Sequence, residues 1–352
     1  VVMMTMPVPE LLREKRVMCT VGSGGVGKTT CAAALGLLAS MMGKKALVLT
    51  IDPAKRLASA MGLGSLGAEE RVLTVGELKT AGIPALQPIS VRMLDLKAAW
   101  DDMVRRLSPS PESARNILGN RFYTHLSTDL AGAQEYVACE HLYTMSYERD
   151  FDVVILDTPP TANALDFLEA PDRVLAILNN DAVKFAARPA LAAGRLSLKL
   201  LDMAGGAAFK ALENITGGEV LRELSEFLML FETLFDPIRT RTSAVQALLT
   251  SSSTSFVLVA SPELGPLTQA RFFLQRLGEL NLPVGTVVLN RMRQAPVGAV
   301  DENALVTSLV AGGMEDAAAR ALLQPVLTAV ADAQRQVRRE AGVVLPLRKA
   351  AG

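Results

Sequence analysis

The chain has 352 residues, half of them hydrophobic, with 36 lysines and arginines against 36 aspartates and glutamates. That length accommodates one large α/β domain or two small ones. The even charge balance argues against a general nucleic-acid or anionic-membrane surface, and no stretch approaches the roughly 18 uninterrupted apolar residues of a membrane span.

In chain order, the first residues, VVMMTMPVPELLREKR, lack a basic region followed by an apolar core, so no secretory signal is expected. VMCTV (17–21) reads as a short apolar strand, Gly22 to Gly27 as a turn, and TTCAAALGLLASMMG as a helix stopped by Gly43. KALVLTID (45–52) is a second strand, apolar on both faces as in a buried parallel sheet. ISVRMLD (89–95), FDVVILD (151–157), SFVLVAS (255–261) and GTVVLN (285–290) are further strands. The helix PLTQARFFLQRLGEL separates the last two, and VVLPL (343–347) reads as a final short strand. Apolar strands alternating with helices predict a doubly wound, mostly parallel sheet. Residues 96–149 and 163–250 read as helical, with loops at Gly205–Gly206 and Gly217–Gly218. They are expected to form a helical subdomain lying against the sheet, within a single domain spanning 1–352.

The turn carries chemistry. Gly22, Gly27, Lys28 and Thr29 satisfy G-x-x-x-x-G-K-[ST], between a strand and a helix as that motif requires. Glycines let the backbone N–H groups wrap a phosphate, and the following helix adds its positive N-terminal end. Lys28 is placed to reach the β- and γ-phosphates, and the Thr29 hydroxyl to bind Mg²⁺. Two aspartates end strands, Asp52 in TIDPAKRL and Asp157 in VVILDTPPT. Either alone is equally a cap or turn residue. Together beside a phosphate loop they can hold a Mg²⁺-bound water or orient an attacking water. Guanine recognition usually takes an N-K-x-D sequence, whereas Asn290 runs into NRMR, with Arg293 where that aspartate would stand. Asn290 can offer both donor and acceptor to adenine, which favours ATP.

GSGGVGKTT, TIDPAKRL and VVILDTPPTANALDFL resemble the arsenical-pump-driving ATPases and their relatives that target tail-anchored membrane proteins. These are deviant-Walker-A P-loop ATPases, a group that includes the partition and division-site ATPases. The resemblance extends to ASPELGPLTQARFFLQRL and VVLNRM and is weakest over 181–250. It implies a loop of Gly24, Gly25, Val26, Gly27, Lys28, Thr29 and Thr30. It also implies Asp52 as the residue that positions the hydrolytic water, with Asp157 organising Mg²⁺. Asn290 would contact adenine, with the segment around Pro346 beside the base. Family members work as dimers with two ATPs near the interface. This protein is expected in the cytoplasm, at most peripheral to the membrane through a partner.

The sequence also departs from that pattern. Where the family loop has a lysine that crosses the dimer, this chain has Ser23. Either Ser23 is a tolerated loop residue, or the charge comes from Lys55, from Arg56, or from a non-identical partner that keeps its lysine. The second switch reads D-T-P-P-T-A-N-A-L-D, without the family's Gly, His and Arg. The CxxC zinc clamp and the arsenite-binding cysteine cluster are absent, so no zinc is expected. Cys19, Cys31 and Cys139 are few and widely separated, which fits a reducing compartment. Cys139 and His141 lie two apart on a helix, pointing in different directions, and a metal site needs more ligands.

LRELSEFLMLFETLFD (221–236) has a wider apolar stripe than one core-facing helix needs. It is either a buried helix or a groove for a hydrophobic client. The expected function is an ATP-hydrolysing dimeric switch coupled to a partner or client, slow as an isolated chain. A low-turnover regulatory subunit of a mixed complex and a partition or positioning ATPase are the alternatives.

Overall fold

The structure, a computed structural model, describes residues 6–51, 56–62, 69–124, 133–158, 161–179, 227, 229–294 and 301–351. Asp52 and Lys55 lie outside the described residues, as do the two glycine loops expected between 205 and 218.

Helix α1 (Val8–Glu14) leads into β1 (Val17–Val21), then α2 (Lys28–Met41) and β2 (Ala46–Thr50). Next come α3 (Arg56–Ala60), β3 (Arg71–Leu73), α4 (Val75–Thr80) and β4 (Ile89–Met93). The helices α5 (Leu96–Leu107), α6 (Pro111–Leu118) and α7 (Ala133–Tyr147) precede β5 (Val153–Asp157) and α8 (Thr161–Asn179). After α9 (Phe235–Thr250) come β6 (Thr254–Ala260), α10 (Leu264–Glu279) and β7 (Val284–Leu289). Helices α11 (Glu302–Ala311) and α12 (Asp316–Ala351) end the chain.

Among the described residues the sheet has seven strands in the order β3-β4-β2-β5-β1-β6-β7. All pairings are parallel except that of the edge strand β3 with β4. This is the α/β doubly wound sheet expected. Strand β1 lies between β5, on the side of β2, and β6. The order therefore reverses at β1, and in such sheets ligands bind at that switch point, outside the strands' carboxyl ends.

The strands are apolar on both faces because both faces are covered. Val17, Cys19 and Val21 of β1 point into a core shared with α5, α7, α8, α9 and α10. Met18, Val48 and Ile155 point the other way, into a core with α1, α2 and α3. Helix α2 lies especially close to the sheet at Gly36, where a Cβ would stand 2.4 Å from Val48 Cγ2.

Two expectations fail. Residues 343–347 are not a strand but part of α12. Val344 and Leu347 are buried while Leu345 and Pro346 are exposed, so the valine run continues a helical stripe, and Pro346 sits on the outward side. The described part of 221–236 is not one helix either. Residues 229–232 are helical, Thr233 and Leu234 turn, and α9 begins at Phe235. The edge strand β3 has one buried residue in three, too little pattern for a period-2 signal.

Candidate phosphate-binding site

The loop after β1 is shaped by glycines that no other residue replaces without strain. Gly22 has φ +147°, and a Cβ there would meet the Val259 carbonyl oxygen at 2.2 Å. Gly27 has φ +96°, and its Cβ would stand 2.2 Å from Asn290 Nδ2. Asn290 donates through that nitrogen to the Val26 carbonyl at 2.9 Å, which ties the end of β7 to the loop. Its backbone N–H bonds the Ala260 carbonyl at 2.8 Å. The described contact of Asn290 is thus with the loop itself.

Lys28 opens α2 and is buried, with its ammonium donating to the Ser23 carbonyl at 3.1 Å. Ser23 is only 5 % exposed, and its hydroxyl has no hydrogen-bond partner among the described residues. Thr29 donates its hydroxyl to Asp157 Oδ2 at 2.8 Å, and Thr50 donates to the same oxygen at 3.1 Å. Thr20 donates to Asp157 Oδ1 at 3.5 Å. Asp157 is fully buried at the end of β5. Thr158 donates to the Thr20 carbonyl at 2.7 Å, which fixes how the chain leaves the strand.

The structure therefore brings together Gly22, Gly27, Lys28, Thr29, Asp157 and Asn290 at the switch point. Pro346 is exposed on α12. Sequence reading missed Thr20 and Thr50. The available signal was a hydroxyl near the carboxyl end of each of two otherwise apolar strands, VMCTV and ALVLT.

Burial keeps the thiols of the chain protonated. Burial pushes Cys19 up to about 12. Cys31 is raised by burial and then by the charge of Asp157. Cys139 is buried, raised well above its ordinary value, and donates to the Phe167 carbonyl at 3.2 Å.

The chemistry of the donor set fits Mg²⁺. A hydroxyl and a carboxylate, both hard oxygen ligands, meet at the N-terminus of α2 beside a buried lysine. The loop leaves no room for side chains at Gly22 and Gly27, as close backbone approach to phosphate requires.

A glycine-shaped loop running into a helix at the switch point of a parallel sheet defines a P-loop nucleotide-binding protein. The chain belongs to the anion-transporting ATPase family, whose sequence profile matches residues 15–299. It is similar to an ATPase ASNA1 homolog of Entamoeba dispar, 25 % identical over 276 residues that cover 77 % of this chain and 74 % of that protein. ATPase get3 of Aspergillus terreus is 24 % identical over 275 residues, covering 77 % of this chain and 71 % of its own. A putative arsenical pump-driving ATPase 1 of Aquifex aeolicus is 30 % identical over 165 residues, 44 % of this chain and 38 % of its own. The chain is an ATPase. No helix among the described residues is long and apolar enough to cross a membrane.

Proposed function

We propose that this ATPase is a dimeric switch that binds Mg²⁺–ATP in the loop, hydrolyses it, and couples the cycle to a partner or a hydrophobic client. The observation that carries the reading is the buried Asp157 carboxylate, bonded by the Thr29 and Thr50 hydroxyls next to Lys28. In this reading the N–H groups of residues 24–30 cradle the phosphates, and Lys28 leaves the Ser23 carbonyl to meet the β- and γ-oxygens. Thr29 holds Mg²⁺ directly and Asp157 through water. The bound ion supplies positive charge against the phosphate oxygens. Asp52 orients the attacking water, and Asn290 reads the adenine with the group of its amide that the loop leaves unused.

Coupling to the helical layer is supported by the course of the chain beyond Asp157. Helix α8 starts at Thr161 and is tied to α10 by Glu169 and Arg276 at 2.6 Å. Gln246 of α9 donates to Asp172 at 2.6 Å. A shift of the strand end on hydrolysis would therefore reach three helices. A client surface at 221–236 would draw on Met229, Leu230 and Phe231, which are half-buried. Phe227 and Leu234 are buried and serve the core, and Phe231 stacks on Phe227 at 5.3 Å. The protein would work in the cytoplasm and meet a membrane only through its partner.

A second reading, a low-turnover subunit paired with a related ATPase, is favoured by Ser23. Its side chain is short, uncharged and buried, so a copy of this chain offers its twin no cation at that position. Steady-state ATP turnover tests both. The isolated chain is expected to be slow and Ser23→Lys faster. Asp52→Asn is expected to retain nucleotide and lose turnover by about a hundred-fold or more. Wild-type turnover in Asp52→Asn would remove that residue from the mechanism. Brisk turnover by the unaltered chain would remove the mixed pair.

A further inference from the structure

Helix α8 carries Pro171 in its interior. Proline has no backbone N–H, so the Phe167 carbonyl loses the donor that a helix supplies four residues on, and the ring crowds that same carbonyl. Phe167 is fully buried, and a buried carbonyl without a partner is costly. The partner comes from another helix. Cys139 of α7, also fully buried, donates its thiol to the Phe167 carbonyl at 3.2 Å. Burial keeps that sulfur protonated and therefore a donor. On the exposed face Arg173 reaches back over the proline to Asp166 at 2.7 Å and to Glu169 at 3.0 Å. Side chains on both faces thus close the gap that Pro171 leaves in the backbone ladder.

The two parts of α8 are held by different neighbours. The part before Pro171 follows Asp157 at the end of β5, and its Glu169 pairs with Arg276 of α10 at 2.6 Å. The part after Pro171 is tied to α9. Gln246 donates to Asp172 at 2.6 Å, and Arg239 donates to Asn179 Oδ1 at 3.2 Å and to the Leu178 carbonyl at 3.3 Å. A helix interrupted by proline bends most easily at the interruption, where no backbone bond has to break. A thiol is a weak donor, so it satisfies the carbonyl without locking the two parts together.

We infer that α8 is a two-part lever hinged at Pro171, with Cys139 as the positioning residue of the hinge. The part that follows Asp157 moves with the nucleotide relative to the part held by α9. The inference rests on the nucleotide cycle proposed at Asp157 and adds the point at which its movement is divided within the helical layer.

The test is hydrogen–deuterium exchange of the full chain with and without Mg²⁺–ATP. The proteins compared are the unaltered chain, Cys139→Ala, Cys139→Ser, Pro171→Ala and the double variant of Cys139→Ala with Pro171→Ala. In the unaltered chain Mg²⁺–ATP is expected to alter exchange several-fold more over residues 161–170 than over 172–179. Cys139→Ala strips the carbonyl of its donor and is expected to change that division, and Cys139→Ser, which restores a donor, to return it. Pro171→Ala supplies the missing N–H, so α8 is expected to respond as one unit and residue 139 to lose its influence. A Cys139→Ala effect as large with Pro171→Ala as without it would overturn the inference, as would a Cys139→Ser chain that behaves like Cys139→Ala. The unaltered chain decides the division by itself, even where a variant does not fold. If Mg²⁺–ATP leaves residues 22–29 unprotected, the loop reading fails and the hinge with it. If it protects them and both parts of α8 respond equally, the hinge alone fails.

Discussion

Asp157 in the loop region and Glu140 in the helical layer are both buried carboxylates, and the two regions satisfy them differently. Asp157 accepts from the hydroxyls of Thr29 and Thr50. Glu140, 1 % exposed on α7, accepts two bonds from Arg106 of α5, at 2.9 and 3.0 Å, and one from Arg241 of α9, at 2.9 Å. Arg241 also stacks on Tyr143, 4.2 Å from the ring centre. Hydroxyls are neutral and rotate, so a cation can take the place of their hydrogens at low cost. Guanidiniums that carry the compensating charge cannot leave without stranding a buried carboxylate. In the proposed function the first carboxylate accepts a ligand, whereas the second holds three helices in register.

Three substitutions probe that contrast, in falling order of effect. Lys28→Ala should cost about a thousand-fold in ATP affinity, roughly 4 kcal/mol, because it removes the loop's own cation. The far-ultraviolet circular dichroism should be retained. Unchanged affinity for a fluorescent ATP analogue would end the assignment of the loop. Glu140→Ala should do the reverse. It should lower unfolding free energy by about 3 kcal/mol, at the low end for a broken buried pair because Arg106 is a third exposed. ATP affinity should stay close to that of the unaltered chain. Equal loss of stability and affinity would mean that the two regions are not separable.

The smallest effect concerns His141, beside Glu140 on α7. Burial, followed by the charges of Arg92, Arg106 and Arg149, pushes its pKa down from 6.5 to about 3. The folded protein therefore keeps the ring neutral while the unfolded chain protonates. Stability from this group is complete above about pH 6.5 and falls as pH drops towards 3, by at most about 1.4 kcal/mol per unit. Denaturant titrations at pH 7 and pH 5 should show a steeper acid loss in the unaltered chain than in His141→Leu. Parallel curves would show that the ring is protonated in both states.

The difference between the regions also explains what could be read from the sequence. The loop is local: Gly22 to Thr29 are contiguous, and Asp157 ends an apolar run that marks a buried strand. Its supporting hydroxyls, Thr20 and Thr50, were missed because one polar residue in a strand has many ordinary explanations. The Glu140 cluster joins residues 34 and 101 positions apart, and no local pattern announces such a pair. The strand expected at 343–347 failed for a related reason. Its valines match strand propensity, but the inward positions, half-buried Val337 and Glu340 and buried Val344 and Leu347, repeat at helical spacing. Tertiary packing decides between the two.

The central claim is that Asp157, through its hydroxyl shell, serves Mg²⁺ for ATP. It is tested most directly by measuring ATP affinity with and without Mg²⁺ in the unaltered chain and in Asp157→Asn. The account predicts that Mg²⁺ tightens ATP binding by the unaltered chain and that Asp157→Asn loses this gain while binding ATP without metal as before. An equal Mg²⁺ gain in both proteins would contradict it.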